Sequence, residues 1–224
     1  AVAAIGIVIG AINLTGLGLR FSTLILSFAG DSLFISLLLM MAGSLVLGMG
    51  LPTVPAYLII ILVMGPAIQK LGVDVLIAHL FVMYFGVLSN ITPPVALAAY
   101  AAAPICGADP FRVALVAMRI ALIGFIIPFV FVYNPSLVLT GEFHVVDFVW
   151  IAGRLALSIW LFSTAFAGYS AGRLPGWSCM AGAVLGVGVV WPDTTVEIVA
   201  VVLALSLIAV QRFSGVSETA AQSR

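Results

Sequence analysis

Charge is what this sequence has least of. Eight Lys and Arg and eight Asp and Glu, 7% of 224 residues, leave a formal net charge of zero. A soluble domain carries roughly 25% charged residues, so a water-surrounded globule is excluded. A nucleic-acid partner is excluded as well, because phosphate binding calls for a basic patch. Cysteine is nearly absent: Cys106 and Cys179 lie in apolar surroundings without metal-ligand spacing and read as small buried hydrophobes. His79 has no second histidine or carboxylate at ligand spacing, so it reads as a hydrogen-bonded helix residue rather than a metal ligand. His-Glu-x-x-His and the phosphate-binding P-loop are missing, so nothing here supports metalloprotease chemistry or ATP hydrolysis, and the chain is not expected to be an enzyme. What remains is apolar: 64% hydrophobic residues and a mean hydropathy of +1.33 mark an all-α, polytopic membrane protein.

Short polar turns divide the apolar runs. Residues 1–17 read as the end of a spanning helix. A chain that opens inside an apolar run, without the basic start and cleavage pattern of a signal peptide, is expected to be part of a longer protein. Residues 18–29 are too short to span, and Arg20, Ser22, Thr23 and Ser27 suit an interfacial or connecting helix. Gly30-Asp31-Ser32 combines a stop with a fresh N-cap. Two apolar arms, 33–47 and 54–68, flank a first break, as one discontinuous span or as two pieces meeting inside the membrane. After the polar turn at 69–74, the arms 75–88 and 95–105 are each too short to cross and read as a re-entrant hairpin over 75–105. Residues 111–139 form a long apolar helix kinked at Pro128 and at Asn134-Pro135, which closes a region of 1–140. Further transmembrane helices occupy 141–212, and the polar residues 213–224 are expected to be a disordered tail.

The few charges inside these runs have plain readings. Arg112 and Arg119, seven residues apart, share a helix face and suit snorkelling or pairing with Asp109, with attraction of an anion as the alternative. Arg154 is expected to pair with Asp147, seven residues back, or to sit at the membrane interface. Asp193 and Glu197 are expected to face water at a helix end.

The chemistry concentrates at two interruptions. Gly48-Met49-Gly50-Leu51-Pro52-Thr53 and Ser89-Asn90-Ile91-Thr92-Pro93-Pro94 both put helix-breaking residues where apolar sequence would otherwise run on as helix. Lipid offers no hydrogen bonds to freed backbone groups, so such breaks survive only when buried in protein or lining a cavity. Unwound carbonyls at the first break, with the Thr53 hydroxyl, are oxygen ligands of the kind sodium takes. Ser89, Asn90 and Thr92 bring three oxygen-bearing side chains to the second. Polar groups at membrane depth mark a site by default. The helix that starts after Pro94 points its positive end at the turn, where an anionic group suits it.

At these residues the sequence resembles a known family. The first break followed by Ala56-Tyr57, the run Ala78-His79-Leu80-Phe81-Val82, the stretch from Leu88 through the Thr-Pro-Pro to Ala102, Gly107-Ala108-Asp109-Pro110 and Phe131-Val132-Tyr133-Asn134-Pro135 are together similar to the large membrane subunit of tripartite ATP-independent periplasmic (TRAP) transporters, most of all to fused permeases of the TAXI-type branch. The resemblance is close over residues 10–140. It implies a sodium-coupled secondary transporter of the bacterial inner membrane that receives an organic acid from a periplasmic binding protein. It implies an elevator-type transport domain built from two inverted repeats, of which this chain would hold the second, and a small membrane subunit, fused or separate. Sodium is then the coupling ion and no other cofactor is needed. By position, a broken helix falls at 48–53 and a hairpin tip at 89–94. Gly48, Gly50, Ser89, Asn90 and Thr92 would serve sodium, and Thr53, Pro93 and Pro94 the substrate. Two other readings share the pattern: an ion-coupled organic-anion carrier that needs no binding protein, and a truncated, non-transporting membrane scaffold.

Overall fold

The computed structural model describes all residues except 1, 31, 141–143, 171, 173 and 223–224, and the side chains of residues 2, 4 and 212–222 also lie outside it. The expected N-cap signal at Asp31, the loop at 141–143 and Arg173 fall among those positions. The described residues are helical throughout, without a strand, in two compact units, Ala1–Val132 and Tyr133–Arg224. Four helices are long and apolar enough to cross a membrane: Thr53–Lys70, Pro110–Tyr133, Val145–Ala167 and Thr194–Gln211. A bent pair, Ile5–Thr15 with Leu17–Ala29, makes a fifth if it counts as one span. The protein is a multi-pass, all-α membrane protein.

In the first unit, α1 (Val2–Thr15) and α2 (Leu17–Ala29) meet at 61° across Gly16, whose φ of +63° suits glycine alone. Residues 18–29 are more than the surface connector their polarity suggests. α2 turns Gly18, Ser22, Ile25 and Ala29 inward, a stripe at helical spacing, and packs on α4 (Thr53–Lys70). A Cβ at Gly18 would stand 2.6 Å from the Leu62 carbonyl oxygen, so the two backbones approach as closely as glycine permits. Ser22 Oγ donates to Gly18 O at 2.8 Å, its helix-internal partner. α3 (Leu33–Gly48) starts at Ser32, whose side chain accepts from Ile35 N, and buries Ser36, Met40, Ser44 and Gly48 along one face. α5 (Val75–Leu88) starts at Asp74, whose carboxylate accepts from Leu76 N at 2.8 Å. With no water-driven force between helices in lipid, close packing holds this unit together. Phe81, Phe85 and Phe129 form its aromatic centre, with ring centroids 4.9 to 6.1 Å apart.

α6 (Leu97–Cys106) precedes α7 (Pro110–Ala121), which Asp109 caps by accepting from Arg112 N at 2.9 Å with Pro110 in the first turn. Asp109 thus serves the backbone of Arg112. Cys106 is exposed and Cys179 half-buried, so neither is the fully buried hydrophobe expected. The helix expected over 111–139 is interrupted earlier than its prolines suggest. A 3-10 turn, Leu122–Phe125, separates α7 from α8 (Ile127–Tyr133). Pro128 removes one amide and would clash with the carbonyl four residues back, at Gly124, so the distortion falls in the turn before the proline.

The second unit holds α9 (Val145–Ala167), α10 (Gly176–Val189) and α11 (Thr194–Gln222). The α11 backbone continues helically through most of the segment expected to be a disordered tail. Its polar centre overturns two expectations. Arg154 pairs not with Asp147 but with Glu197 of α11, at 2.8 Å, and Glu197 is buried rather than facing water. Only Asp193 takes the helix-end role, accepting from Thr195 N and Val196 N. Arg154 also donates from Nε to Val189 O and from Nη2 to Trp191 O, carbonyls left open where α10 ends. Trp150 Nε1 donates to the second Glu197 oxygen at 2.5 Å. One guanidinium thereby ties three helices. Removing one partner of a buried pair leaves the other charge uncompensated, which costs about 3–5 kcal/mol. Glu197→Ala is expected to lower the thermal unfolding midpoint of the detergent-solubilised protein accordingly, whereas Asp147→Ala leaves it unchanged. Equal midpoints for the two variants would contradict the pairing.

Candidate ion and substrate site

Both interruptions exist, but their architectures are exchanged relative to the expectation. The first is a hairpin. Gly48 lies against Ile60, a Cβ there standing 3.5 Å from Ile60 Cδ1, and Gly43 lies against the Met64 side chain. An unbroken helix would separate Gly48 from Ile60 by about 18 Å. The chain therefore folds back, and α3 packs along α4. The reversal needs only Met49–Pro52. Gly50 takes φ +77°, which L side chains rarely adopt. Leu51 N donates to Gly48 O at 3.3 Å, and Pro52 leads α4 with Ala56 N donating to its carbonyl. Pro55 falls in the first turn of α4, where its missing amide breaks no helical bond.

The second interruption is a broken helix, not the hairpin expected over 75–105. α5 packs on α3 and α4, α6 packs on α7, and α5 and α6 form no packed pair among the described residues. An alanine face holds α6 to its neighbour, with Ala96, Ala99 and Ala114 buried together against Tyr100, Val113 and Ala117. Arm length misled the sequence reading: two short arms fit a hairpin and a broken crossing equally well, and only the partner of the second arm distinguishes them.

Eight residues, 89–96, join α5 to α6. The last turn of α5 tightens: Asn90 N donates to Val87 O, Ile91 N to Leu88 O and Thr92 N to Ser89 O. The Pro93–Pro94 bond is cis. Ala96, buried, is left-handed at φ +36°, and its amide donates to Thr92 O. Ala98 N donates back across the break to Asn90 O at 3.0 Å, and the Tyr100 hydroxyl donates to Pro94 O at 2.6 Å.

These two interruptions touch. A Cβ at Gly48 would stand 2.5 Å from Ser89 Oγ and 2.9 Å from Ser89 Cβ, and one at Gly50 would stand 3.6 Å from Val95 Cγ1. Gly48, Gly50 and Ser89 are thus brought together, with Asn90 and Thr92 in the next turn. Ser89 and Thr92 are buried, Asn90 and Pro93 half-buried, Thr53 and Pro94 exposed. Ser89 Oγ donates to Gly86 O at 2.7 Å, Asn90 Nδ2 to the same carbonyl at 3.3 Å, and Thr92 Oγ1 to Leu88 O at 2.8 Å. The hydroxyl protons are committed inside the helix, which leaves lone pairs as the remaining capacity. Asn90 Oδ1 has no partner among the described residues. Such a set can accept or coordinate but has few protons to donate. No group of three or more His, Cys, Asp or Glu able to hold a metal occurs among the described residues, so the donors are neutral oxygens.

Other residues fall outside this cluster or were missed. His79 is hydrogen-bonded as expected, its Nδ1 2.6 Å from the Tyr57 hydroxyl. Arg112 and Arg119 are exposed on α7. Gly168, Ser170 and Gly172 carry Gly-x-Ser-x-Gly spacing, but Gly168 caps the end of α9 and Ser170 follows it, with no strand-to-helix elbow of the kind such a nucleophile needs among the described residues. Gly86 was not singled out, although Ser89 and Asn90 stand three and four residues after it, the spacing at which such side chains bond back to a helix carbonyl.

A hairpin and a broken helix that meet at uncharged oxygens, within a bundle of apolar helices, are the kind of arrangement from which membrane transporters build their sites. The family comparison agrees. Residues 1–145 match the family model described as "Tripartite ATP-independent periplasmic transporter, DctM component", and the chain belongs to that family. No curated protein and no solved structure matches it.

The contact between the interruptions can be tested without transport. Gly48→Ala is expected to destabilise the solubilised protein by about 1–3 kcal/mol, as overpacking does. Gly48→Ala with Ser89→Gly, which removes the obstructing side chain, is expected to recover part of that loss. A Gly48→Ala variant that melts with the wild type would show that the segments do not touch.

Proposed function

We propose that this chain is a permease portion of a sodium-coupled secondary transporter, importing an organic acid that a periplasmic binding protein delivers. The observation that carries the reading is the meeting of Gly48 with Ser89, beside side-chain oxygens whose protons are already engaged. Sodium, a hard cation, takes neutral oxygens of this kind, and Gly48, Gly50, Ser89, Asn90 and Thr92 are its proposed surroundings. Helix lengths support a site inside the bilayer. From the turn at 71–74, the 18 residues of α4 reach about 27 Å and the 14 of α5 about 21 Å. Both fall within a hydrocarbon core about 30 Å thick.

An anion fits beside such a cation. α4 begins at Thr53 without a side-chain cap, so its first amides and the exposed Thr53 hydroxyl remain available to a carboxylate, and Pro93 and Pro94 are proposed to join Thr53 in binding it. Hairpin and broken helix together would form one repeat of an elevator-type transport domain. It would work with a first repeat, a small membrane subunit and the binding protein in the bacterial inner membrane. The decisive measurement is uptake by the complete transporter in proteoliposomes. Sodium-dependent uptake is expected in the wild type, and Asn90→Ala or Thr92→Ala is expected to abolish it with membrane abundance preserved. Wild-type uptake in either variant would defeat the reading.

A further inference from the structure

Tyr57 and His79 lie outside the proposed ion surroundings, yet the packing of α4 on α5 brings Tyr57 beside them. Tyr57 is on α4, the returning arm of the hairpin, and His79 is on α5, the first half of the broken helix. The Tyr57 hydroxyl and His79 Nδ1 are 2.6 Å apart, and both residues are half-buried. Tyr57 also approaches α5 further along. A Cβ at Gly86 would stand 3.7 Å from Tyr57 N and 3.9 Å from Tyr57 Cα, so about a methyl's width separates the two backbones there. Gly86 is seven residues from His79, two turns along the same face of α5. The carbonyl of Gly86 accepts from both Ser89 Oγ and Asn90 Nδ2. A side-chain bond at one turn and a close backbone approach two turns further on restrict both the rotation and the height of α4 against α5. That approach is to the residue that orients two of the site's side chains.

We infer that Tyr57, anchored on His79, is a positioning residue for the ion site, acting through Gly86 on Ser89 and Asn90. This rests on the sodium reading above. Its consequence is a change in apparent sodium affinity rather than in the capacity to transport.

Uptake by the complete transporter in proteoliposomes, titrated with sodium, provides the test. Tyr57→Phe is expected to raise the half-saturating sodium concentration about fivefold, equivalent to about 1 kcal/mol for one hydrogen bond. Uptake at saturating sodium and membrane abundance stay at the wild-type level. His79→Leu, which offers no acceptor, is expected to shift the titration equally, and His79→Asn, which keeps one, to restore it to within about twofold. A Tyr57→Phe titration that overlies the wild type overturns the inference. So does an equal shift in His79→Leu and His79→Asn, which decides the matter if Tyr57→Phe fails to reach the membrane. Wild-type uptake that ignores sodium overturns the underlying reading and the inference with it, whereas sodium-dependent uptake with an unshifted Tyr57→Phe removes the inference alone.

Discussion

A peptide group released from a helix inside lipid finds no water, and this constraint shapes both interruptions. Where α3 ends, Leu51 N turns back to Gly48 O, and the proline that follows has no amide to satisfy. Where α5 ends, the amides of Asn90, Ile91 and Thr92 find carbonyls three residues back, Ala96 N donates to Thr92 O, and Ala98 N reaches across the gap to Asn90 O. Tyr100 supplies a hydroxyl for the Pro94 carbonyl. The breaks are therefore largely bonded structures, and what the side chains of the second one leave over is mainly oxygen lone pairs. That residue of unused capacity is what a cation can use.

The same constraint operates in the second unit by another route. Charge at membrane depth is costly, so Arg154 is held by a carboxylate and by two carbonyls at once. Glu197 is in turn shared with Trp150. The carbonyls that Arg154 takes are those which the end of α10 cannot satisfy itself, so one side chain settles a charge and a helix terminus together. This network accounts for Arg154 and Glu197 as a tie between helices, and neither needs a role in transport.

Local chemistry was legible in the sequence, and long-range partners were not. Gly-x-Gly-x-Pro and Thr-Pro-Pro inside apolar runs located both interruptions to within a residue or two, because proline and glycine act on the backbone where they stand. Ser32 likewise marked a helix start from local chemistry, whereas the cap that Asp109 supplies to α7 emerged only from the structure. Which break reversed the chain depended on whether α6 found α5 or α7, and nothing within residues 75–106 encodes that choice by itself. Arg154 shows the limit more sharply. A search along its own helix offered Asp147, whereas the partner sits 43 residues downstream in the sequence, on α11. The contact between Gly48 and Ser89 was expected only as a juxtaposition of breaks. Its geometry depends on the absence of a side chain at one residue and on a short hydroxyl at the other.

Neutral ligands have a mechanistic consequence in the proposed transport cycle. A site built from carboxylates would hold a cation whether or not substrate were present. One built from Ser89, Asn90, Thr92 and backbone oxygens brings no compensating charge, so a cation in a low-dielectric environment gains from an anion arriving beside it. The reverse holds equally: a carboxylate near the start of α4 is favoured by the cation already bound. Linkage would make the two effects equal in free energy, so in the proposed cycle uncharged oxygens beside an uncapped helix start would suffice to couple the two solutes. Coupling of this kind needs no carboxylate or histidine in the site and no ATP, which fits a sequence that is poor in charge and without a nucleotide-binding loop.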